Sequence, residues 1–554
     1  MVKLMRFFMP LLTAISVFLS AALSPATLPA PHGDADLSVL EYPAEAVRTL
    51  EEVGLTEQEL IDRGSDELPE YVQSGGHSDV NGLIVSPYYT ARIGDMPVPV
   101  YSAMIYVWSE KGNNTAGLHS FSEVYVDPDS SFAFTFELTG VSKPIRNAVV
   151  LPQSLQTGAV CQNNVIRVSI TKPGLYTFLF NGARQPYGYS LFVREKIDDD
   201  AEIAKYAAQY GKKNVVVLDK GVYTFDFINT VDAHNLVYYL REGAYVIAEH
   251  HYDITCAEDT GLYAEPGAAE SSAIYAMRYN FLNFHRCSNI TLAGHGVIDM
   301  TRLDRGERGG FVMTDCENVR ISGVKLVNAP GWTLLAYKCT GLQIDNVDIF
   351  GYRGNSDAFA LCNTQDAVVD NCFARSGDDL FEVKTLGGDR GSDNITYRNC
   401  VAWSGYARCF GITGEVCHPI TNITFRDCAV IWRNATWDNN RIGSLVVIAE
   451  QAEGVIDGVT FDNIEIFRDE GRPVNVKIYD EKATHYSIRN VTFQNIRYTS
   501  YMRGQVAANG HDGNTVQVRF ENIRANGFDP AVSAIGRRMF VVDRKCDVKF
   551  DATR

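Results

Sequence analysis

The 554-residue sequence has few charged residues, 21% in all, and its cations are in deficit. It has 50 Lys and Arg against 67 Asp and Glu, which gives a net charge of −17. Such an acidic surface disfavours binding to nucleic acid or to an anionic membrane. The negative net charge does not exclude an acidic substrate, because a protein with a negative net charge can still have a local basic cleft. The hydrophobic content of 46% is typical of a globular protein and argues against disorder.

The sequence lacks several motifs that are typical of particular enzyme or binding functions. The sequence has no Ser/His/Asp nucleophile pattern, no Walker-type phosphate loop and no Cys/His spacing for zinc. Acyl transfer, nucleotide and zinc functions therefore have little support, and we expect neither a metal nor a cofactor.

Long apolar runs are confined to the start of the chain. Lys3 and Arg6 precede an apolar run from Phe7 to Leu23, which predicts a secretory signal peptide over residues 1–30. A retained anchor is the alternative, although Pro10 interrupts the run and its length is near the lower limit for a span. We expect a secreted, cell-surface or periplasmic protein that does not contact the membrane after signal removal. The oligomeric state is not readable.

The rest of the chain divides into two β-rich parts. Residues 31–76 are acidic and irregular, and we interpret them as a linker with a short helix near Thr56 to Arg63. Residues 77–196 alternate apolar and polar positions in short runs separated by turns, which predicts a β-sandwich. We expect a structural or glycan-contacting role for this part.

Residues 197–554 carry a repeat. Polar-then-β-branched segments such as Asn289-Ile-Thr-Leu, Asn394-Ile-Thr-Tyr and Asn422-Ile-Thr-Phe recur at intervals of 23 to 36 residues. Strands with tight turns at such a period predict a solenoid, most simply a parallel β-helix. Asparagine at the recurrent turn tolerates left-handed backbone and can form ladders with its neighbours. The predicted fold class is all-β, a sandwich followed by a β-helix.

Twelve cysteines would suit a disulfide framework in a secreted chain. Their spacing favours a different interpretation, because Cys372, Cys400 and Cys428 recur every 28 residues and look like equivalent positions of the repeat. We expect such residues to stack as buried free thiols, and Cys409 with Cys417 to be the best candidate for a disulfide.

One stretch of the repeat departs from the pattern. Gly377 precedes the adjacent pair Asp378 and Asp379, and Asp357 lies 22 residues before Asp379, close to one coil. We expect three carboxylates on one patch, provided that Gly377 permits a turn there. Such a cluster can bind a hard cation, divide into a general acid and a general base, or be a solvated acidic loop.

These residues resemble glycoside hydrolase family 28, the polygalacturonase type. The resemblance rests on Asn355-Ser-Asp357, on Gly377-Asp-Asp379 with the following Leu-Phe-Glu-Val-Lys384, on Asn328 to Leu334 and on Gly294 to Asp299. It covers roughly residues 214–500. It implies a right-handed parallel β-helix and hydrolysis with inversion of the anomeric centre.

The sequence departs from that family at two motifs. No histidine lies near Gly405-Tyr406-Ala407, where the family has Gly-His-Gly, and the Arg-Ile-Lys motif is matched only by Asn475-Val-Lys477. The chain is also similar to the related family 49, the dextranase and isopullulanase type, which has an N-terminal β-sandwich, three catalytic aspartates and no histidine motif. The substrate therefore stays open between a pectin-like polysaccharide and an α-glucan.

The resemblance implies roles for individual residues. Asp378 would be the general acid, and Asp357 and Asp379 would hold and deprotonate the attacking water. The candidates for contacts with a polysaccharide or oligosaccharide substrate are Asn355, Lys384, Trp403, Tyr406, Arg408 and Lys477. A polysaccharide lyase and a non-catalytic glycan-binding solenoid are the alternatives. The lyase needs a basic residue as base, and the Asp pair argues against a purely binding solenoid.

Overall fold

The computed structural model describes residues 37–63, 81–108, 114–129, 131–155, 157–182, 188–225, 228–249, 281–303, 309–387, 389–434, 441–450, 454–479, 485–509 and 512–552. The predicted signal peptide over residues 1–30 lies outside these ranges.

The N-terminal part is a β-sandwich of twelve strands. In chain order these are β1 (Leu37–Val39), β2 (Leu83–Val85), β3 (Tyr89–Ile93), β4 (Met96–Val98), β5 (Tyr101–Trp108), β6 (Asn114–Val126), β7 (Phe134–Gly140), β8 (Ala148–Leu151), β9 (Ala159–Gln162), β10 (Val165–Ile170), β11 (Gly174–Phe180) and β12 (Tyr189–Glu195). One sheet has the order β2-β5-β6-β12-β11-β8 with β1 paired to β6, and the other has the order β4-β3-β7-β10-β9. Alternating burial along β7 and β10 places their apolar side chains between the two sheets.

Thirty-four further strands form the C-terminal part. The first eighteen are β13 (Val215–Leu218), β14 (Gly221–Phe225), β15 (Ile228–Val231), β16 (His234–Leu240), β17 (Ala244–Ala248), β18 (Leu282–His285), β19 (Ser288–Gly294), β20 (Val297–Asp299), β21 (Phe311–Thr314), β22 (Glu317–Ser322), β23 (Lys325–Val327), β24 (Leu334–Tyr337), β25 (Thr340–Asp345), β26 (Asp348–Phe350), β27 (Phe359–Cys362), β28 (Gln365–Asp370), β29 (Phe373–Arg375) and β30 (Phe381–Thr385). The remainder are β31 (Ser392–Arg398), β32 (Val401–Ser404), β33 (Phe410–Val416), β34 (Ile420–Arg426), β35 (Ala429–Arg433), β36 (Leu445–Glu450), β37 (Val455–Asp462), β38 (Glu465–Asp469), β39 (Val474–Ile478), β40 (Ser487–Gln494), β41 (Arg497–Ser500), β42 (Gly504–Ala507), β43 (Thr515–Glu521), β44 (Arg524–Ala525), β45 (Phe540–Val542) and β46 (Asp547–Asp551).

Every third strand belongs to the same parallel sheet. The first sheet runs from β13 to β46, the second from β14 to β44 and the third from β15 to β45, with 12, 11 and 11 strands. Each coil contributes one strand to each sheet, so the three sheets enclose one continuous apolar core. The chain is therefore a right-handed parallel β-helix behind a β-sandwich, which confirms the predicted fold class.

Stacked side chains fill this core. On the first sheet Phe425, Phe461 and Phe493 stack with ring centroids 4.9 and 4.6 Å apart, which is one strand spacing. At two corners the stacked residues are cysteines, one ladder with Cys287, Cys316 and Cys339 and another with Cys372, Cys400 and Cys428, all buried. The predicted thiol ladders are confirmed.

The predicted disulfide between Cys409 and Cys417 is wrong. Both are free thiols, as are the other nine cysteines among the described residues. Cys409 precedes β33 and Cys417 follows it, so a seven-residue extended strand of roughly 23 Å separates them. A disulfide needs α-carbons within about 7 Å.

The recurrent turn asparagines adopt the left-handed conformation, as predicted. Asn289, Asn318, Asn394 and Asn422 have φ between 54° and 55°. Their amides form ladders: Nδ2 of Asn289 donates to Oδ1 of Asn235 at 2.8 Å.

The seven-stranded sheet of the sandwich packs against the outer face of the second β-helix sheet. Aromatic side chains from both sides meet there, including Phe121 and Phe192 against Phe350 and Phe373. A buried charge network crosses the same interface, since Arg194 and Lys325 contact Asp348 at 2.7 and 3.0 Å and Lys325 also contacts Glu123. The two parts are thus joined by an interface that combines apolar packing with a buried charge network.

Short helices complete the structure: α1 (Glu57–Arg63), α2 (Asp199–Tyr210), α3 (Ala534–Arg537) and the 3₁₀ turns η1 (Gln153–Leu155) and η2 (Lys212–Asn214). None of the helices in the described ranges is long and apolar enough to cross a membrane. The expected linker over residues 31–76 differs from the structure at β1, which pairs antiparallel with β6 and so belongs to the sandwich.

Candidate active site

The three aspartates lie where the chain passes from the second sheet to the third. Phe359 of β27 pairs with Phe381 of β30, and Ala358 N donates to Asp379 O at 2.8 Å, so Asp357 stacks directly on Asp379 one coil away. The separation of 22 residues in the sequence is thus one turn of the solenoid.

Gly377 makes the turn that presents the Asp pair. A Cβ on Gly377 would lie 1.9 Å from Arg353 O and 2.9 Å from Cδ2 of Tyr106, so no other residue fits without a shift. The Gly377 amide donates to Oγ of Ser356 at 3.0 Å, which ties this turn to the one that carries Asp357. Asp378 follows in a half-buried position, and Asp379 is buried.

The sandwich reaches this turn through Tyr106, near the end of β5. Tyr106 N donates to Gly351 O at 2.9 Å, and a Cβ on Gly405 would lie 2.4 Å from Tyr106 O. The N-terminal part therefore buttresses the backbone of the coils that carry the aspartates.

Lys384 holds the cluster together. Its Nζ lies 3.0 Å from Glu382, 3.3 Å from Asp357, 3.6 Å from Glu415 and 3.8 Å from Asp379. The side chain is only 5% exposed. Burial alone would lower the pKa of Lys384, but the surrounding carboxylates raise it well above its usual value, so the ammonium stays charged.

Arg408 keeps Asp379 ionised. Nη1 of Arg408 donates to Oδ2 of Asp379 at 2.7 Å, and its backbone amide donates to Oδ1 at 3.1 Å. Burial would raise the pKa of Asp379, but the charges of Arg408 and Lys384 and these hydrogen bonds outweigh it and lower the pKa. Asp379 is therefore the aspartate of the three that its surroundings hold ionised.

The pKa values of Asp378 and Asp357 are shifted upwards, opposite to that of Asp379. Burial and the neighbouring charge of Asp379 raise the pKa of Asp378 to about 7. Burial raises the pKa of Asp357 to about 8, although Lys384 opposes the change. One ionised carboxylate beside a carboxyl that keeps its proton near neutral pH is the division of labour that general acid and base catalysis needs.

Comparison with known proteins finds a resemblance in sequence to a family of glycoside hydrolases. The sequence model described as "Glycosyl hydrolases family 28" matches residues 276–536, which include all three aspartates. The chain resembles the family 28 glycoside hydrolases.

The related sequences are distant. The polygalacturonase of Juniperus ashei is 22% identical over 293 residues, which are 48% of this chain and 54% of the relative. Polygalacturonase QRT2 of Arabidopsis thaliana is 21% identical over 263 residues, 43% of this chain and 57% of the relative. The matches thus span about half the length of these relatives.

A solved structure shares both parts of the fold. Dex49A from Penicillium minioluteum superposes with a TM-score of 0.56 and 10% identity, covering 94% of this chain and 99% of that one. This likeness confirms the resemblance to family 49 at the level of the fold.

The cluster also contains two glutamates that the sequence analysis did not predict. Glu382 and Glu415 are not among the candidates named from the sequence, yet both carboxylates contact Lys384. The strand pattern contains the signal for Glu382: Phe381 and Val383 point into the core, so Glu382 and Lys384 share the outer face just after the Asp pair.

The residues predicted to contact the substrate differ in their exposure and in their distance from the three aspartates. Asn355 is exposed in a left-handed turn with φ of 62°, and Tyr406 is half-buried with its ring 5.1 Å from that of Tyr106. Lys477 lies on the outer face of β39, three strands and about 14 Å along the third sheet from Lys384. Lys384 and Arg408 contact the site carboxylates instead of standing free for a ligand.

The prediction that Trp403 contacts the substrate is wrong. Its side chain is 1% exposed in the interface with the sandwich, where the guanidinium of Arg375 lies 3.6 Å from the ring centre and His119 packs edge-on. A buried ring between two parts of the protein does not stack on a sugar.

Oxygens of Asp357, Asp379 and Glu382 lie within 4.8 Å of one another, a spacing that would suit a metal ion. The ammonium of Lys384, within 3.0 to 3.8 Å of the same three residues, already supplies the positive charge that this group needs.

Proposed function

We propose that the protein is a secreted glycoside hydrolase that cleaves a polysaccharide with inversion, using Asp357, Asp378 and Asp379. The observation that carries the proposal is the split between Asp379, ionised by Arg408, and its neighbour Asp378, whose pKa of about 7 keeps its proton available. The match to family 28 and the polygalacturonase relatives favour a pectin-like substrate.

In this mechanism Asp378 donates its proton to the glycosidic oxygen as the bond to the anomeric carbon breaks. A water molecule held by Asp357 and Asp379 attacks the opposite face of the sugar and gives its proton to Asp379. Exchange with solvent then removes the proton from Asp379 and returns one to Asp378. Lys477, farther along the same sheet, is the candidate for binding a uronate carboxylate of the substrate.

The site disfavours a lyase. A lyase needs a neutral basic side chain to remove a proton from carbon, but Lys384 is surrounded by carboxylates that raise its pKa. Arg408 is likewise paired with Asp379.

The experiment is a reducing-sugar assay on polygalacturonate, rhamnogalacturonan, dextran and pullulan, with and without a chelator. It compares the wild type, Asp378→Asn and the control Asp370→Asn, which changes an aspartate on the first sheet that pairs with Arg398. We expect chelator-insensitive release from a pectin-like polymer that only Asp378→Asn abolishes. Unaltered release by Asp378→Asn, or an unsaturated product absorbing in the ultraviolet, would overturn the proposal.

A further inference from the structure

Glu382 is the most deeply buried carboxyl of the site, with no exposed surface, and the reaction proposed above does not use it. It lies on β30 between Phe381 and Val383, facing outward beside Lys384. Oε2 contacts Nζ of Lys384 at 3.0 Å and accepts a hydrogen bond from Oγ1 of Thr413 at 2.5 Å.

Two oxygens of the cluster have no ordinary donor. Oε1 of Glu382 and Oδ1 of Asp357 are both buried without a hydrogen-bond partner. A buried carboxylate oxygen without a donor destabilises the folded protein. One carboxyl oxygen from each of these two residues and from Asp379 lies within 4.8 Å of the others, so the carboxyls of Glu382 and Asp357 are close neighbours in the buried cluster.

The charges require such a proton. Asp379 is neutralised by Arg408, which leaves Lys384 as the cation shared by Asp357 and Glu382, with Asp378 and Glu415 also nearby. Two ionised carboxylates against one ammonium, all out of water, would leave a net negative charge in the protein interior. The remaining groups packed on Glu382 do not relieve it, because Thr413 is neutral and Tyr397 is a buried phenol that donates to Glu382 O at 2.7 Å.

We propose that Glu382 is a positioning residue held as a neutral carboxylic acid that donates a hydrogen bond to Asp357. The donated hydrogen bond gives both orphaned oxygens a partner, and the neutral acid leaves one negative charge fewer around Lys384. This hydrogen bond fixes Asp357 in the orientation from which it holds the attacking water. Glu382 itself exchanges no proton with the substrate. This inference rests on the proposed function for its effect on catalysis, but its protonation state is testable without activity.

The direct readout is the carbonyl-stretch region of the infrared spectrum, where protonated carboxyls absorb apart from carboxylates. The difference spectrum between wild type and Glu382→Gln at pH 7 should contain one carboxylic-acid band that belongs to Glu382. The control Glu137→Gln replaces a half-buried glutamate of the sandwich, where Arg167 and Arg92 outweigh burial and lower the pKa, and should show no such band. A carboxylate band in place of the acid band for Glu382 would overturn the proposal, whether or not the protein hydrolyses a glycan.

Kinetics give the second readout. The substitution Glu382→Gln keeps a donor for Asp357 and an acceptor for Lys384 but introduces a side chain that cannot ionise, so kcat should stay within about threefold of the wild type. Glu382→Ala removes the donor and should lower kcat on the order of 100-fold with KM little changed, as expected for misplaced catalytic groups. A loss in Glu382→Gln as severe as in Asp378→Asn would show that Glu382 must ionise, and an unimpaired Glu382→Ala would show that it has no role.

Discussion

Replacing Asp378, the proposed general acid, by asparagine should stabilise the protein at alkaline pH. The usual pKa of an aspartate is 3.8, and burial with the charge of Asp379 raises that of Asp378 to about 7. Between these values the unfolded chain has lost a proton that the folded protein still holds. Stability therefore falls as the pH rises from about 4 to about 7, and the substitution Asp378→Asn would remove this fall.

The size of the effect follows from the same shift. At about 1.4 kcal/mol for each tenfold change in proton affinity, full burial would give about 4 kcal/mol at pH 8. Because Asp378 is half-buried and partly screened by solvent, we expect about 2 kcal/mol. For a chain of this size that is about 2 °C in melting temperature.

The assay is thermal melting of the wild type, Asp378→Asn and the control Asp370→Asn at pH 4 and pH 8. The Asp378→Asn protein should melt close to the wild type at pH 4 and above it at pH 8, while Asp370→Asn shows no such difference. An equal effect of Asp378→Asn at both pH values, or a gain at pH 4 alone, would refute the idea that Asp378 keeps its proton.

Three further predictions concern activity. As the pH rises above about 7, kcat/KM should fall about tenfold per pH unit because Asp378 loses its proton, whereas a profile that is flat to pH 9 would contradict this assignment. Arg408→Met leaves Asp379 buried without its guanidinium, so it should lower the free energy of unfolding in urea by about 3–5 kcal/mol and remove most of kcat. The control Arg398→Met, at a half-buried surface ion pair, should cost at most about 1 kcal/mol. Tyr106→Ala in the sandwich should lower kcat on the order of 10- to 100-fold in a steady-state assay by loosening the adjoining turn, and Tyr106→Phe should retain activity; equal activity of both would separate the sandwich from catalysis.

Local patterns predicted the fold because the β-helix repeats one local rule. The turn asparagines and stacked cysteines recur at coil spacing, and parallel strands in register convert sequence distance into height along the solenoid. For this reason the 22 residues between Asp357 and Asp379 were enough to place the two carboxylates on adjacent coils.

Contacts between distant segments could not be predicted in the same way. Trp403 looked like a sugar platform because nothing near it in the sequence shows that the sandwich covers the second sheet. The roles of Lys384 and Arg408 as partners of buried carboxylates likewise depend on which side chains from neighbouring coils face them. Glu415 reaches Lys384 from another coil, through a register shift between β30 and β33 that the repeat pattern does not contain.

The central claim is that Asp378 protonates the leaving oxygen while Asp357 and Asp379 direct water to the opposite face of the sugar. Proton NMR of the first product formed from a polymer that the wild type cleaves tests it most directly, since the anomeric configuration is visible before mutarotation. The account predicts the anomer opposite to that of the linkage cleaved. Retention of configuration would contradict it, because one of the aspartates would then have to attack the sugar itself.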